Sequence, residues 1–119
     1  KSGGEPFILE IVRLLNDEDD FVRIKATEAA EFCKDERVVD QLINKMLSDT
    51  NYFVRGFAAK ALGSIGNMKA REPLEKATAD QVGFVVSIAQ QSLKTINIKH
   101  SFSSKLESLR LKMKENMNK

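Results

Sequence analysis

Residues 49–66 read Asp-Thr-Asn-Tyr-Phe-Val-Arg-Gly-Phe-Ala-Ala-Lys-Ala-Leu-Gly-Ser-Ile-Gly, and this stretch is the clearest copy of a unit that also occurs before and after it. The same residue types recur at a shift of 32 residues towards the N-terminus and 31 residues towards the C-terminus. The matching positions are Asp17, Asp49 and Asp80; Phe21, Phe53 and Phe84; Val22, Val54 and Val85; and Ala26, Ala58 and Ala89. A period of this length is typical of stacked units, none of which can bury its apolar face alone.

Each unit contains two helical patterns. Val54, Ala58 and Leu62 follow one another at the spacing of a single helical face, and shorter apolar patterns of the same kind lie at residues 38–47 and 70–77. The sequence therefore predicts an all-α fold, an α-solenoid of stacked antiparallel helix pairs with about seven helices.

The predicted helices divide the chain into three parts. Residues 1–5 form a disordered lead, residues 6–96 form the repeat array, and residues 97–119 form a connector followed by a capping helix. The connector is placed at 97–100 and the last helix at 103–116, where Phe102, Leu106, Leu109 and Met113 share one face. A terminal element of this kind is expected to cover the open apolar flank of the array.

The central copy resembles the short HEAT-like repeat found in bilin (phycobilisome) lyase subunits and in small scaffold proteins. The motif Asp-x-x-x-Phe-Val-Arg-x-x-Ala-x-x-Ala-Leu-Gly-x-Ile-Gly at 49–66 carries the resemblance, which extends over about residues 6–96. It implies a ladder of polar contacts between units, carried over to Asp17 with Arg23 and to Asp49 with Arg55. Val86 replaces the arginine in the third copy, so the ladder is expected to stop at Asp80.

Composition narrows the class of protein. The chain has 119 residues, 42% of them apolar, and a net charge of +2, which fits one globular domain rather than a strongly basic nucleic-acid binder. The charge is uneven, because residues 97–119 carry six Lys or Arg and two Glu, hence +4, and the remainder carries −2. No apolar run is long enough for a bilayer, so a cytoplasmic protein without membrane contact is expected.

Candidate catalytic and metal-binding residues have plainer explanations. His100 has no neighbouring carboxylate or second histidine, and Cys33 falls on an apolar face as a small buried residue. The acidic run 17–20 lacks the pattern of a calcium loop and suits a helix start. Some iron-binding hydroxylases of the resembling family carry His-Glu pairs, and this sequence has none. We expect no catalytic residue, no metal and no cofactor, and hence a protein that is not an enzyme.

One surface is the candidate partner-binding site. In helix-pair arrays, one helix of each pair lines a long surface, and positions beside its core stripe face a partner. Several of these positions carry large apolar groups, which usually mark an interaction site. An alternative is that Phe21, Phe53 and Phe84 belong to an extended core under the C-terminal helix. The candidate residues are Phe21, Lys25, Tyr52, Phe53, Phe57, Lys60, Phe84, Ile88 and Gln91.

Three functions stay open from the sequence. The first is a non-catalytic scaffold that binds a protein partner, as a peptide or amphipathic helix, through the aromatic-rich surface. The second, implied by the resemblance, is an accessory subunit of a modifying enzyme such as a lyase-type complex. The third is nucleic-acid binding through the basic C-terminal tail, which would depend strongly on salt. The amphipathic tail also allows self-association.

Overall fold

A computed structural model describes residues 5–118 of the chain. It consists of helices α1 (Glu5–Leu15), α2 (Asp20–Ala30), α3 (Glu36–Ser48), α4 (Tyr52–Ile65), α5 (Arg71–Ala77) and α6 (Gly83–Met117), with a 3-10 turn at Met68–Ala70 before α5. The predicted disordered lead lies outside the described residues, apart from Glu5, where α1 begins.

The helices form three pairs in two layers. Helices α1, α3 and α5 contact their neighbours in one layer, α2, α4 and α6 do so in the other, and each odd-numbered helix packs on the next even-numbered one. The core between the layers includes Leu15, Leu42, Leu62 and Leu74, which are fully buried. The all-α solenoid predicted from the repeat is confirmed.

The loop before each even-numbered helix has one repeated geometry. Asp17, Asp49 and Asp80 each accept a hydrogen bond from the backbone N–H two residues later, at 2.9 Å in all three units. This local bond turns the chain into the next helix. Asn51 then caps α4 by accepting from the N–H groups of Phe53 and Val54.

The C-terminal part of the prediction is wrong. Helix α6 runs without a break through 97–100, so neither the connector nor a separate capping helix exists, and residues 97–118 are exposed along the whole of that segment. The segment from Asn97 to His100 contains no Gly or Pro, and each of its residues tolerates helical geometry, so nothing local ends the helix after the buried Ile96.

Candidate functional site

Four aromatic rings meet at the N-terminal ends of α4 and α6. Phe84 lies edge-to-face against Phe53 and Phe57, with ring centroids 5.5 and 5.7 Å apart, and the Tyr52 ring centroid lies 4.5 Å from that of Phe53. Tyr52 and Phe53 are each 42% exposed, while Phe57 and Phe84 are half-buried. We call Tyr52, Phe53, Phe57 and Phe84 the aromatic surface.

Gly56 sets the depth of this surface. A Cβ atom at Gly56 would lie 2.4 Å from Cε2 of Phe84, so the absence of a side chain allows the ring to lie directly on α4. Seven residues later, a Cβ at Gly63 would lie 2.5 Å from Oγ of Ser92. Because neither glycine has a side chain, α4 and α6 can lie in close contact at both positions. Phe84 is therefore held against the other three rings.

The contact between Gly56 and Phe84 was not predicted from the sequence, because the position of Gly56 alone does not indicate which side chain lies against it. The sequence signal for this close contact is the pair Gly56 and Gly63. Both residues lack a side chain, and they lie seven positions apart on α4. Glycine inside a helix costs roughly 1 kcal/mol relative to alanine, so two on one face indicate a close helix contact.

The other predicted partner-binding residues are not all in this cluster. Phe21 is 62% exposed on α2, and the Lys25 ammonium lies 5.5 Å from the centre of its ring. Ile88 is half-buried and packs against the core. Lys60 and Gln91 line a shallow groove between α4 and α6, about one to two helical turns from the rings. Phe21 is thus an exposed residue of the neighbouring helix α2, and Ile88 lies one turn after Phe84 and contacts the core.

Cross-unit polar contacts border the surface. Glu31, just beyond the C-terminal end of α2, accepts from Ser64 Oγ at 2.9 Å and lies 3.8 Å from the Lys60 ammonium. At the opposite end, the Asn51 amide donates to Asp20 at 3.0 Å, and this bond together with the Arg23 guanidinium lowers the pKa of Asp20. These contacts hold α2 and α4 in a fixed relation on both sides of the candidate site.

The structural ladder joins neighbouring units. Arg23 donates to both carboxylate oxygens of Asp49, and Arg55 does the same to Asp80. The two arginines also donate to the backbone carbonyls of Asp17 and Asp49 respectively, each at 2.8 Å. The resemblance implied that Arg23 pairs with Asp17 and Arg55 with Asp49. The side-chain pairing differs, because each arginine binds the carboxylate of the following unit.

The ladder reaches Asp80, and Val86 stands at the next arginine position. The Arg55 guanidinium lowers the pKa of Asp80. Glu28 is paired with Lys25 at 3.4 Å, and Glu31 has the contacts given above. His100 is exposed on α6, and Cys33 is buried as a free thiol.

Residues 5–118 contain neither a candidate metal site nor a candidate membrane span. Among these residues no group of three or more His, Cys, Asp or Glu is arranged to hold a metal ion. Nor does any helix in the same range have the length and apolar content needed to cross a membrane.

Comparison with known proteins identifies the family. No curated protein sequence matches this chain. Among solved structures, human deoxyhypusine hydroxylase in complex with glycerol is similar, with a TM-score of 0.70 and 22% identity. The match covers 78% of this chain and 33% of the hydroxylase chain, so this chain spans about a third of that protein, and the likeness shows the fold alone. Residues 8–94 match the family described as HEAT repeats. The chain therefore belongs to the HEAT-repeat family.

Proposed function

We propose that this chain is a non-catalytic interaction module that binds a helical segment of another protein on its aromatic surface. HEAT repeats generally mediate contacts between proteins. The observation that carries the finer proposal is the cluster of four rings in mutual contact, two of them 42% exposed, at the open ends of α4 and α6. Aromatic side chains grouped in this way are the usual anchors of protein interfaces.

The ring contacts favour binding because they order the side chains in advance. Edge-to-face neighbours such as Phe53 and Phe84 restrict each other's rotamers, and Gly56 fixes the position of the Phe84 ring. A partner would then bury apolar area without having to order these side chains, which lowers the entropic cost of association. An amphipathic helix laid across α2, α4 and α6 would place its apolar residues on the rings.

The chain's own tail leaves this surface open. Phe84 lies in the first turn of α6, whereas Ile98 is the first exposed apolar residue beyond the array. Ile98 follows Phe84 by fourteen positions along the helix, which is about 21 Å. Since α6 continues as one helix with no break between these residues, the same chain does not fold its tail back over the rings.

Polar residues at the edges suit a partner of mixed charge. Lys25 is paired with Glu28 on α2, and Lys60 is paired with Glu31 beyond the end of α2, so each lysine already has a carboxylate within 4 Å. Such exposed pairs contribute little to affinity and instead select the register of a partner. The resemblance to lyase-type repeats implies an alternative function, an accessory subunit of a modifying enzyme. In that case the bound segment belongs to the protein that the enzyme modifies, and it binds the same aromatic surface.

Photo-crosslinking tests the proposal. A photoreactive phenylalanine analogue is introduced at the position of Phe53 and, as a matched control, at that of Phe32, which is 86% exposed outside the aromatic surface. We expect a discrete crosslinked protein from the source extract at position 53 and none, or a weaker one, at position 32. Equal crosslinking at both positions would contradict the proposal, and a nucleic-acid adduct at position 53 would assign the surface to another class of partner.

A further inference from the structure

Beyond Ile96, α6 continues out of the array as an exposed helix that ends at Met117. Phe102, Leu106, Leu109 and Met113 are 66%, 50%, 57% and 62% exposed. They follow one another at spacings of four, three and four residues, which are the a and d positions of two heptads. We call these four residues the seam. Nothing within residues 5–118 covers them.

The charges beside the seam have a single sign. In the heptad frame of the seam, Lys105 and Lys112 occupy g positions and Arg110 occupies an e position. Glu107 and Glu115 fall at b and c positions, farther from the seam, where Glu107 lies 3.2 Å from Arg110. Within the described range, neither Lys105 nor Lys112 has an ion pair, so two cations stand uncompensated at the edge of an apolar stripe.

A second copy of this chain does not complement these charges. In a parallel pair, g positions face e positions, and Lys105 would approach Arg110 of the other copy. In an antiparallel pair, g faces g and e faces e, which again brings cations together. Nucleic acid would satisfy the lysines and leave the apolar seam uncovered. The seam is also the narrow two-per-heptad stripe of a coiled coil rather than the broad apolar face of a helix that lies in a membrane surface.

We propose that the exposed part of α6 forms a coiled coil with a helix of another protein, whose a and d positions are apolar and whose e and g positions are acidic. The part of α6 that precedes the exposed segment is held by the array. Ser92 and Ile96 are buried there, and the Lys99 ammonium donates to the Ser64 carbonyl at 3.2 Å. The array thus presents the seam in a defined direction, and this site is separate from the aromatic surface.

The probe is a peptide that carries residues 97–118 of this chain with Lys105→Glu, Arg110→Glu and Lys112→Glu. It keeps the seam and reverses the flanking charges. Fluorescence anisotropy of the labelled peptide is measured against the full chain. We expect saturable binding that is at least about tenfold tighter than that of the unaltered peptide, and a loss of about tenfold between 0.05 and 0.5 M NaCl.

Variants of the full chain separate the seam from other surfaces. Leu106→Ser with Leu109→Ser should reduce binding of the charge-reversed peptide by at least about tenfold. Leu111→Ser removes an equally exposed leucine at an f position, and Phe53→Ser alters the aromatic surface, so both should bind as the unaltered chain does. Phe53→Ser is predicted to affect only the aromatic surface. A failure of the coiled-coil proposal can therefore be distinguished from a failure of the proposed function.

Three results would overturn the coiled-coil proposal. The first is equal affinity for the charge-reversed and unaltered peptides, or binding insensitive to the double leucine change. The second is a concentration-dependent dimer in sedimentation that the double change abolishes, which would assign the seam to a second copy. The third is cosedimentation with phosphatidylserine vesicles, lost in the double variant, without peptide binding, which would assign it to a membrane surface.

Discussion

Arg23 of the first unit grips the carboxylate of Asp49 in the second, with Nε and Nη2 donating at 2.9 and 3.0 Å. The same guanidinium donates from Nη1 to the carbonyl of Asp17 at 2.8 Å. Side chains of both partners are nearly buried, at 10% and 3% exposure. One arginine therefore ties the loop of its own unit to the loop of the next, and Arg55 repeats the arrangement towards Asp80.

Asp49→Asn should destabilise the fold by about 1–3 kcal/mol, because the nearly buried Arg23 guanidinium loses its buried counter-charge and keeps only the pair with the more exposed Asp20. The free energy of unfolding from urea denaturation measures the effect. Glu28→Gln, which breaks the exposed pair with Lys25, serves as the control and should change stability by less than about 1 kcal/mol. Equal effects of the two substitutions would show that the ladder does not stabilise the stack.

Acid should weaken the array through its paired carboxylates. The Arg55 guanidinium holds the pKa of Asp80 below its ordinary value of 3.8, and bonds from Arg37 lower the pKa of Asp35 to about 2. Since these carboxyls have a lower pKa when folded than when unfolded, their stabilisation is complete above about pH 5. It is lost as the pH falls below about 4 towards the pKa of each group in the folded chain.

Thermal unfolding between about pH 5 and about pH 2.5 measures this loss. Asp80→Asn removes one of the titrating groups, so its melting temperature should be lower at about pH 5 and should fall less on acidification than that of the unaltered chain. Glu75→Gln, at an exposed position of α5, should retain the full acid dependence. An Asp80→Asn chain with undiminished acid sensitivity would contradict the assignment of this dependence to the ladder.

The two packing glycines should respond differently to alanine. At Gly63 the new Cβ would lie 2.6 Å from Cβ and 3.0 Å from Cα of Ser92, so the helices must separate, and we expect a loss of about 1–3 kcal/mol. At Gly56 the close atoms belong to the Phe84 ring, which can turn outward, so Gly56→Ala should cost less and should alter the aromatic surface.

Chemical denaturation of both variants tests this order. Ser92→Gly combined with Gly63→Ala should recover part of the stability, because it removes the opposing Cβ and Oγ. A double variant no more stable than Gly63→Ala would show that the loss has another origin.

The exposed end of α6 should contribute little to the stability of the array. Leu106→Ala and Leu109→Ala are expected to change the free energy of unfolding by less than about 0.5 kcal/mol, because both side chains are at least half exposed. Leu74→Ala, in the fully buried core, should cost about 2–5 kcal/mol. A cost above about 2 kcal/mol at Leu106 would instead favour the capping helix expected from the sequence.

The repeat made most of the fold predictable. Phe53, Val54 and Arg55 have counterparts at fixed spacing in the first copy, and the apolar positions of each copy define one helical face. The stacking of helix pairs follows from these positions, whereas the seventh helix expected from the sequence is part of α6. The unbroken course of α6 was not predictable in the same way. The amphipathic pattern at 102–113 indicates which face of the helix is apolar, but it does not indicate what that face packs against.

The candidate site was predictable only in part. Phe53 and Phe84 fall at equivalent positions of successive copies, so their presence on neighbouring helices is a consequence of the period. Their contact depends on how closely α4 and α6 approach, which Gly56 and Gly63 determine in three dimensions. Likewise, an arginine side chain can reach either its own loop or the next one, and only the distance between units decides that Arg23 pairs with Asp49.

Affinity capture from the source extract measures whether the aromatic surface binds a protein, using the intact chain, a Tyr52→Ser, Phe53→Ser variant and a Phe32→Ser control. Both altered rings of the variant are 42% exposed, and retained helical circular dichroism would show that the fold is kept. We expect that one protein is retained by the intact chain and by Phe32→Ser and is lost from the double variant. Retention of the same protein by all three chains would show that the aromatic surface is not the binding site.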